Sequence, residues 1–294
     1  MILITGSAGK TGRSVLKALV ERGVSVRALV HRPDQVARVK ALGAQQVLVG
    51  DMRSPQVIQQ AVQGVRAVYH ICPNMSADEL PIGVNIIKSA RSAGVEHFGY
   101  HSVLKPQVKS MPHHWNKMLV EEHLLESHLP YTILQPAAYM QNLAAHWDRL
   151  VNEGIYPVPY PASTRLSLVD LADVAQVAAI VLTEPGHQFA TYELVSTEGL
   201  SQTQVADILS QQLQRSIDIV TISIEEWQQQ AVASGLGGYQ VDTLVKMFTY
   251  YAQYGFEGNS NVIAWLLGHP PGSLQAFIQR LIGEKYINQQ ATLT

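Results

Sequence analysis

Apolar residues along this chain fall in short runs, and between the runs they recur at helical spacing. Ile2–Ile4 is the first run and predicts a strand. Val15, Leu16, Leu19 and Val20 then share one helix face, and Gly23 stops that helix. The alternation continues. The pattern predicts a strand at Val24–Val30, a helix at Pro33–Leu42 closed by Gly43, and a strand at Gln46–Val49. A helix at Pro55–Val62, a strand at Ala67–Ile71 and a helix at Ile82–Ala93 ended by Gly94 come next. A strand at His97–His101, a helix from Pro112 to Ser127 and a strand at Tyr131–Leu134 complete the run. Alternation of this kind predicts an α/β fold, a doubly wound parallel sheet covered by helices on both faces. Ligand then sits at the carboxyl ends of the strands, near the point where the strand order reverses.

The pattern loosens after residue 150. "EGIYPVPYPAST" carries three prolines and reads as a surface crossing. "LSLVDLADVAQVAAIVL" predicts a further helix, and Thr191–Val195 a further strand. From Leu200 onward helices dominate, with one strand expected at Ile217–Ile222. The expected division is a dinucleotide-binding domain over 1–152 and a smaller, mostly helical lobe over 153–294. The segment at about 168–196 is expected to return to the sheet of the first domain. Such a lobe is expected to close over the ligand cleft.

Composition narrows the partners. The chain has 294 residues, 47% of them hydrophobic, enough for a sizeable core. A net charge of −2 argues against nucleic acid and against an anionic membrane surface. No apolar run is long enough to span a bilayer. The sole cysteine, Cys72, excludes an internal disulfide and suits a reducing compartment. The chain opens on a strand without a basic leader, so a cytoplasmic protein is expected.

"ILITGSAGKTGRS" holds the first candidate chemistry. Gly9-Lys10-Thr11 resembles part of a nucleotide triphosphate loop, but that loop needs a glycine five residues before the Gly-Lys pair. Ile4 stands there. Gly6, Gly9 and Gly12 instead recur every three residues. Gly6 permits the tight strand-to-helix turn, Gly9 lets backbone approach a pyrophosphate, and Gly12 lets helix and strand pack closely. Ser7, Ala8, Lys10 and Thr11 complete the turn, and the helix N-terminus favours an anion.

At the end of the second strand, "ALVHRPD" places His31 and Arg32 where a ribose-binding acid usually stands. Arg32 has the charge and donor geometry for a 2′-phosphate, which predicts NADP(H) over NAD(H). Asp34 is expected to cap a helix. Asp51 can accept from an adenine amino group, with Met52 packed on the ring. Ile71, Cys72 and Pro73 end the fourth strand on the adenosine side. His113 and Lys117, four apart, share a helix face. His114 and His123, nine apart, lie on opposite faces, and no metal motif is present, so no metal is expected.

Over nearly its whole length the chain resembles the NmrA-like family, an atypical branch of the extended short-chain dehydrogenase/reductases. The resemblance rests on "TGSAGKTG", "HRPD", "VGDMRSP", "HHWNK" followed by Glu121, "LPYTILQPAAYMQNL", "SLVDLADVAQVAAIVLTEPGHQFATYELV" and "IAWLLGHPPGSLQAFI". It implies that Lys117 grips the nicotinamide ribose and that His113 occupies the position of the superfamily's catalytic tyrosine. Ser102 lies near the family's serine position. Gln135 replaces an arginine common in relatives, and Ala137 a glycine. The resemblance further implies that Pro136, Tyr139, Met140 and Asn142 line the space beside the nicotinamide. "ASGLGGYQ", residues 233 to 240, is a candidate wall or lid.

Two functions fit these features. The first is an NADP(H)-dependent oxidoreductase acting on a small-molecule substrate, a quinone or related unsaturated carbonyl compound. The second is a non-catalytic NADP(H) sensor acting through a regulatory protein partner. A sugar-nucleotide epimerase is a distant third, because the tyrosine is missing.

Overall fold

The computed structural model describes residues 1–291. The strands are β1 (Ile2–Ile4), β2 (Val26–Val30), β3 (Gln46–Val49), β4 (Ala67–His70), β5 (His97–His101), β6 (Tyr131–Pro136), β7 (Ala138–Tyr139), β8 (Ile155–Val158), β9 (Arg165–Leu166), β10 (Leu168–Val169), β11 (Ala190–Leu194), β12 (Leu200–Ser201) and β13 (Asp218–Thr221). The helices are α1 (Lys10–Glu21), α2 (Val36–Ala41), α3 (Pro55–Val62), α4 (Glu79–Ser92), α5 (Pro112–Leu125), α6 (Leu171–Thr183), α7 (Gln202–Leu213), α8 (Ile224–Ala233), α9 (Gly238–Tyr254), α10 (Asn261–Leu267) and α11 (Leu274–Ala291).

Seven strands form one sheet in the order β11-β6-β5-β4-β1-β2-β3, and every neighbouring pair is parallel. From β1 the chain steps outward through β2 and β3, then returns to the other side through β4, β5, β6 and β11. The order therefore reverses between β1 and β4, and that is where a ligand crevice forms in such sheets. Ile2, Leu3 and Ile4 are wholly buried, as a parallel strand covered on both faces requires. On the Leu3 face of the sheet, Leu29, Ile58, Val68, Ile86, Phe98 and Val120 join Leu3 in one core.

The chain divides into two compact units. The first is Met1–Pro136 with Val174–Leu194, and the second is Ala137–Asp173 with the chain from Val195 onward. The second unit has its own core, built on Leu143, Trp147, Leu150, Tyr156, Leu209 and Ile278. Its strands pair in twos: β7 with β10, β9 with β12, and β8 with β13.

Several elements differ from the sequence expectation, each for a local reason. Helix α4 starts at Glu79, not Ile82. Pro81 sits in its first turn, where the missing N–H is no loss. Residues expected to open α6 are instead the short strands β9 and β10. Asp170 then starts the helix by accepting from the Ala172 N–H at 3.0 Å. The proline-rich crossing contains a strand, β8, despite Pro157. In a two-stranded ladder each strand has one unpaired edge, so a missing N–H is tolerated. Asp34 caps nothing. It lies in a single 3-10 turn, Pro33–Gln35, and its carboxylate turns back to Arg32.

Candidate functional site

The glycine turn joins β1 to α1. Gly6 has a left-handed φ of +59°, and a Cβ there would stand 2.8 Å from the Ile71 carbonyl oxygen. A Cβ on Gly12 would stand 2.7 Å from Ser7 Cα and closer still to the Gly6 oxygen, so this position admits glycine alone. The Gly9 N–H donates to the Gly6 carbonyl at 3.0 Å. Ser7 serves the turn itself: it is buried, and its hydroxyl donates to the Ile4 carbonyl at 2.6 Å. Gly9 is the N-cap of α1, brings no side chain to the first-turn N–H groups, and no acidic residue occupies that turn. Ala8 is half-buried, and Gly9 and Lys10 are exposed. Thr11 and Gly12 follow in the first turn. The helix end thus presents its positive pole without an internal anion.

At the end of β2, Arg32 extends a two-pronged contact to Asp34, with Nε to Oδ1 at 3.0 Å and Nη2 to Oδ2 at 3.1 Å. The Gln35 side-chain oxygen accepts from the backbone N–H of both His31 and Arg32, each at 3.1 Å. After β3, Asp51 accepts from Arg53 through backbone N–H (2.8 Å) and guanidinium (2.6 Å from Nη2). Those bonds pull its carboxyl down to about 2. Met52 packs against the core of the first unit. After β4, Ile71 and Cys72 are buried and Pro73 is exposed. Burial, with the nearby Glu79, pushes the Cys72 thiol far above its ordinary range.

The helix α5 carries the densest polar arrangement. His113, Lys117 and Glu121 are spaced by four and form one stripe along it. The Lys117 ammonium donates to Glu79 Oε1 at 3.0 Å and to the His101 carbonyl at 3.1 Å. Tyr100 donates its hydroxyl to the same Glu79 oxygen at 2.9 Å, and the ammonium lies 5.3 Å from the centre of the Tyr100 ring. One turn further on, Ser102 donates its hydroxyl to buried Glu121. Gln135, in the neighbouring strand β6, reaches both Glu121 oxygens at 3.0 Å. Burial raises the Glu121 carboxyl above its usual value, against the pull of Ser102, Gln135 and Lys117. Pro136, beside Gln135, is buried and accepts from the Leu104 N–H at 2.9 Å.

The surrounding histidines are held neutral. Burial, with the His114 ring and the Lys117 ammonium, pushes His113 down to about 3. Its Nδ1 is buried without a hydrogen-bond partner, and its ring stands edge-on to His114 at 4.4 Å. Burial likewise pushes His70 and His114 down to about 4, and His101 to about 3. His70 stacks on Tyr100 with ring centres 5.7 Å apart.

In the second unit, Tyr139 is half-buried in β7, Asn142 is exposed in the 3-10 turn Met140–His146, and Met140 is fully buried in that unit's core. The stretch 233–240 is a short corner between α8 and α9, turned at Gly235 with φ +87°. Among the described residues, no group of three or more His, Cys, Asp or Glu is arranged to hold a metal ion. No described helix is long and apolar enough to cross a membrane.

Within the first unit the structure thus gathers Lys117, His113 and Ser102 at the carboxyl ends of β4 and β5. Sequence reasoning missed Glu79, Tyr100, His70 and His101. A signal for three of them was present: polar side chains interrupting otherwise apolar strands at their carboxyl ends. Glu79 gave none, because it fell outside the expected helix.

A parallel doubly wound sheet, with a glycine turn on one side of its switch point and a lysine-bearing helix on the other, defines a Rossmann-type fold. The chain belongs to the NmrA-like family, whose model matches residues 1–276. It is 27% identical to the NAD(P)H azoreductase of Xenophilus azovorans over 94% of this chain and 96% of that protein. It is 26% identical to quinone oxidoreductase 2 of Escherichia coli strain K12, over 96% of this chain and 98% of that protein. The crystal structure of the Escherichia coli quinone oxidoreductase QOR2 in complex with NADPH superposes with a TM-score of 0.85 at 25% identity. It covers 96% of this chain and 100% of that one.

Proposed function

We propose that this protein is an NADP(H)-dependent oxidoreductase that reduces quinones or related unsaturated carbonyl compounds. The observation that carries the reading is the Lys117 ammonium: two of its three N–H bonds are anchored on the protein, and it is half-buried at the carboxyl end of β5, on the side where sheets of this kind bind ligands. The family and the activities named for its relatives support it.

The residues present fit such a cofactor. The open first turn of α1, with Gly6, Gly9 and Gly12 keeping backbone close, would hold the pyrophosphate. Arg32 would take a 2′-phosphate in place of Asp34, with His31 beside it, which favours NADPH over NADH. Asp51 and Met52 would meet the adenine, and Ile71, Cys72 and Pro73 the adenosine side. Lys117 would hold the nicotinamide ribose hydroxyls, with Ser102 and Pro136 nearby.

Bound NADPH supplies a hydride. The protein's share is orientation and charge. His113 stays neutral through the physiological range, so it offers a hydrogen bond to a polar substrate without acting as an imidazolium acid. The hydroxyl of Ser102 is committed to Glu121. A reduced quinone takes its proton from water, so the missing tyrosine does not abolish the reaction. Tyr139 and Asn142 of the second unit are the proposed substrate contacts, and Met140 belongs to that unit's core.

The test mixes purified protein, NADPH and a panel of quinones and follows nicotinamide absorbance. Turnover above the free-solution rate is expected. Tight NADPH binding with no turnover on any member would instead identify a cofactor sensor acting through a protein partner.

A further inference from the structure

The environment of Lys117 contains one carboxylate that the reading above does not use. Glu79 is buried in the first turn of α4, yet it accepts two hydrogen bonds on one oxygen, from Lys117 at 3.0 Å and from Tyr100 at 2.9 Å. A buried carboxylate is costly unless paired and bonded, and here both conditions hold. Tyr100 is in turn fixed, fully buried and stacked on His70.

The geometry of an ammonium makes this pairing matter. Lys117 has three N–H bonds at tetrahedral angles. A single acceptor, the His101 carbonyl, would leave the flexible four-carbon stem free to swing the ammonium about that bond. A second acceptor in a different direction, Glu79, stops the rotation. With two N–H bonds fixed, the direction of the third is determined. The ammonium also lies 5.3 Å from the centre of the Tyr100 ring, but among the described residues no third hydrogen-bond acceptor meets it, so the third N–H is left for a ligand.

The other titratable groups facing Lys117 do not supply a competing anion in contact. His70, His101, His113 and His114 are neutral, and Glu121 is engaged by Ser102 and Gln135.

We propose that Glu79 is a positioning residue: it aims the Lys117 ammonium at the nicotinamide ribose, and Tyr100 holds Glu79 in place. The inference rests on the reading of Lys117 as the ribose ligand. It adds that the ligand's affinity depends on a carboxylate that never touches it.

The experiment is a double-mutant cycle in NADPH affinity, measured by calorimetry on Glu79→Gln, Lys117→Met and the pair. Glu79→Gln keeps an acceptor for Tyr100 but removes the charge that orients Lys117. It should weaken NADPH binding by about tenfold. In the Lys117→Met background the same change should weaken binding no further. Equal loss in both backgrounds would mean that Glu79 acts through the fold rather than through Lys117, and overturns the proposal. So does unchanged affinity in Glu79→Gln while Lys117→Met binds weakly. Unchanged affinity in Lys117→Met would remove the underlying reading, and the inference with it. If Glu79→Gln does not fold, Tyr100→Phe decides by the same cycle. A smaller loss that vanishes in Lys117→Met supports the proposal, and no loss overturns it.

Discussion

Two kinds of ion pair stand along the proposed cofactor path. Arg32 and Asp34 are two residues apart, with side chains 62% and 66% exposed. Lys117 and Glu79 are 38 residues apart, with side chains 16% and 4% exposed. The contact distances are equal at 3.0 Å. Their consequences are not. Water screens the first pair, so Asp34 would give way easily to the proposed 2′-phosphate. The second pair is set in a low-dielectric interior, where breaking it strands a charge. The exposed end is built to exchange partners, and the buried end to keep them.

Acid separates the two regions most. His70, His101, His113 and His114 have folded-state values far below 6.5, so between about pH 6.5 and 4 the unfolded chain binds protons that the folded chain refuses. Stability is present above that window and lost as pH falls through it. Each histidine contributes a slope of up to ~1.4 kcal/mol per pH unit. The thermal midpoint should therefore drop steeply from pH 7 to pH 5, and less steeply in His113→Gln. A flat midpoint across this range would mean that these rings are hydrated and charged.

Next in size is Lys117→Met. It leaves Glu79 buried with Tyr100 and the Cys72 thiol as its remaining hydrogen-bond donors, and removing one member of a buried pair costs ~3–5 kcal/mol, here toward the lower end because Lys117 is partly solvated. Adding Glu79→Gln to that variant should recover much of the loss in a denaturant titration. Gly12→Ala follows. Its methyl meets backbone, not a movable side chain, so ~1–3 kcal/mol and the proposed NADPH site should be lost together.

The smallest stability effect belongs to the exposed end. Arg32→Glu should leave the thermal midpoint unchanged and cut the preference for NADPH over NADH by about tenfold in calorimetry. Asp34→Asn should raise that preference. Equal affinity for both cofactors in the unaltered protein would remove Arg32 from the site.

The backbone half of the candidate site was legible in the sequence; of its side-chain half, Lys117, His113 and Ser102 were legible, and Glu79, Tyr100, His70 and His101 were not. Glycines that must lie at +φ or under a carbonyl leave their mark one residue at a time, and Gly6 and Gly12 did so. The strand–helix alternation through Tyr131 was equally plain, because a buried parallel strand such as Ile2–Ile4 has no polar alternative. Glu79 was hidden because its contacts with Lys117 and Tyr100 come from three elements that only the tertiary fold brings together. Strands of two residues, such as β9 and β10, were hidden for a different reason: two residues carry no period. Arg32 was seen, but its partner Asp34 was read as a cap, since a short polar side chain beside proline serves either purpose.

The bare N-cap at Gly9 bears on how long the protein lasts in a cell. A serine or aspartate there would satisfy the helix end whether or not anything is bound. With glycine, that satisfaction is left to water or to an anion from outside, and an anion bound there stabilises the folded state. A ligand at a hundred times its dissociation constant adds ~2.7 kcal/mol to the folding free energy. Proteases that attack transiently unfolded chains would clear the empty form first.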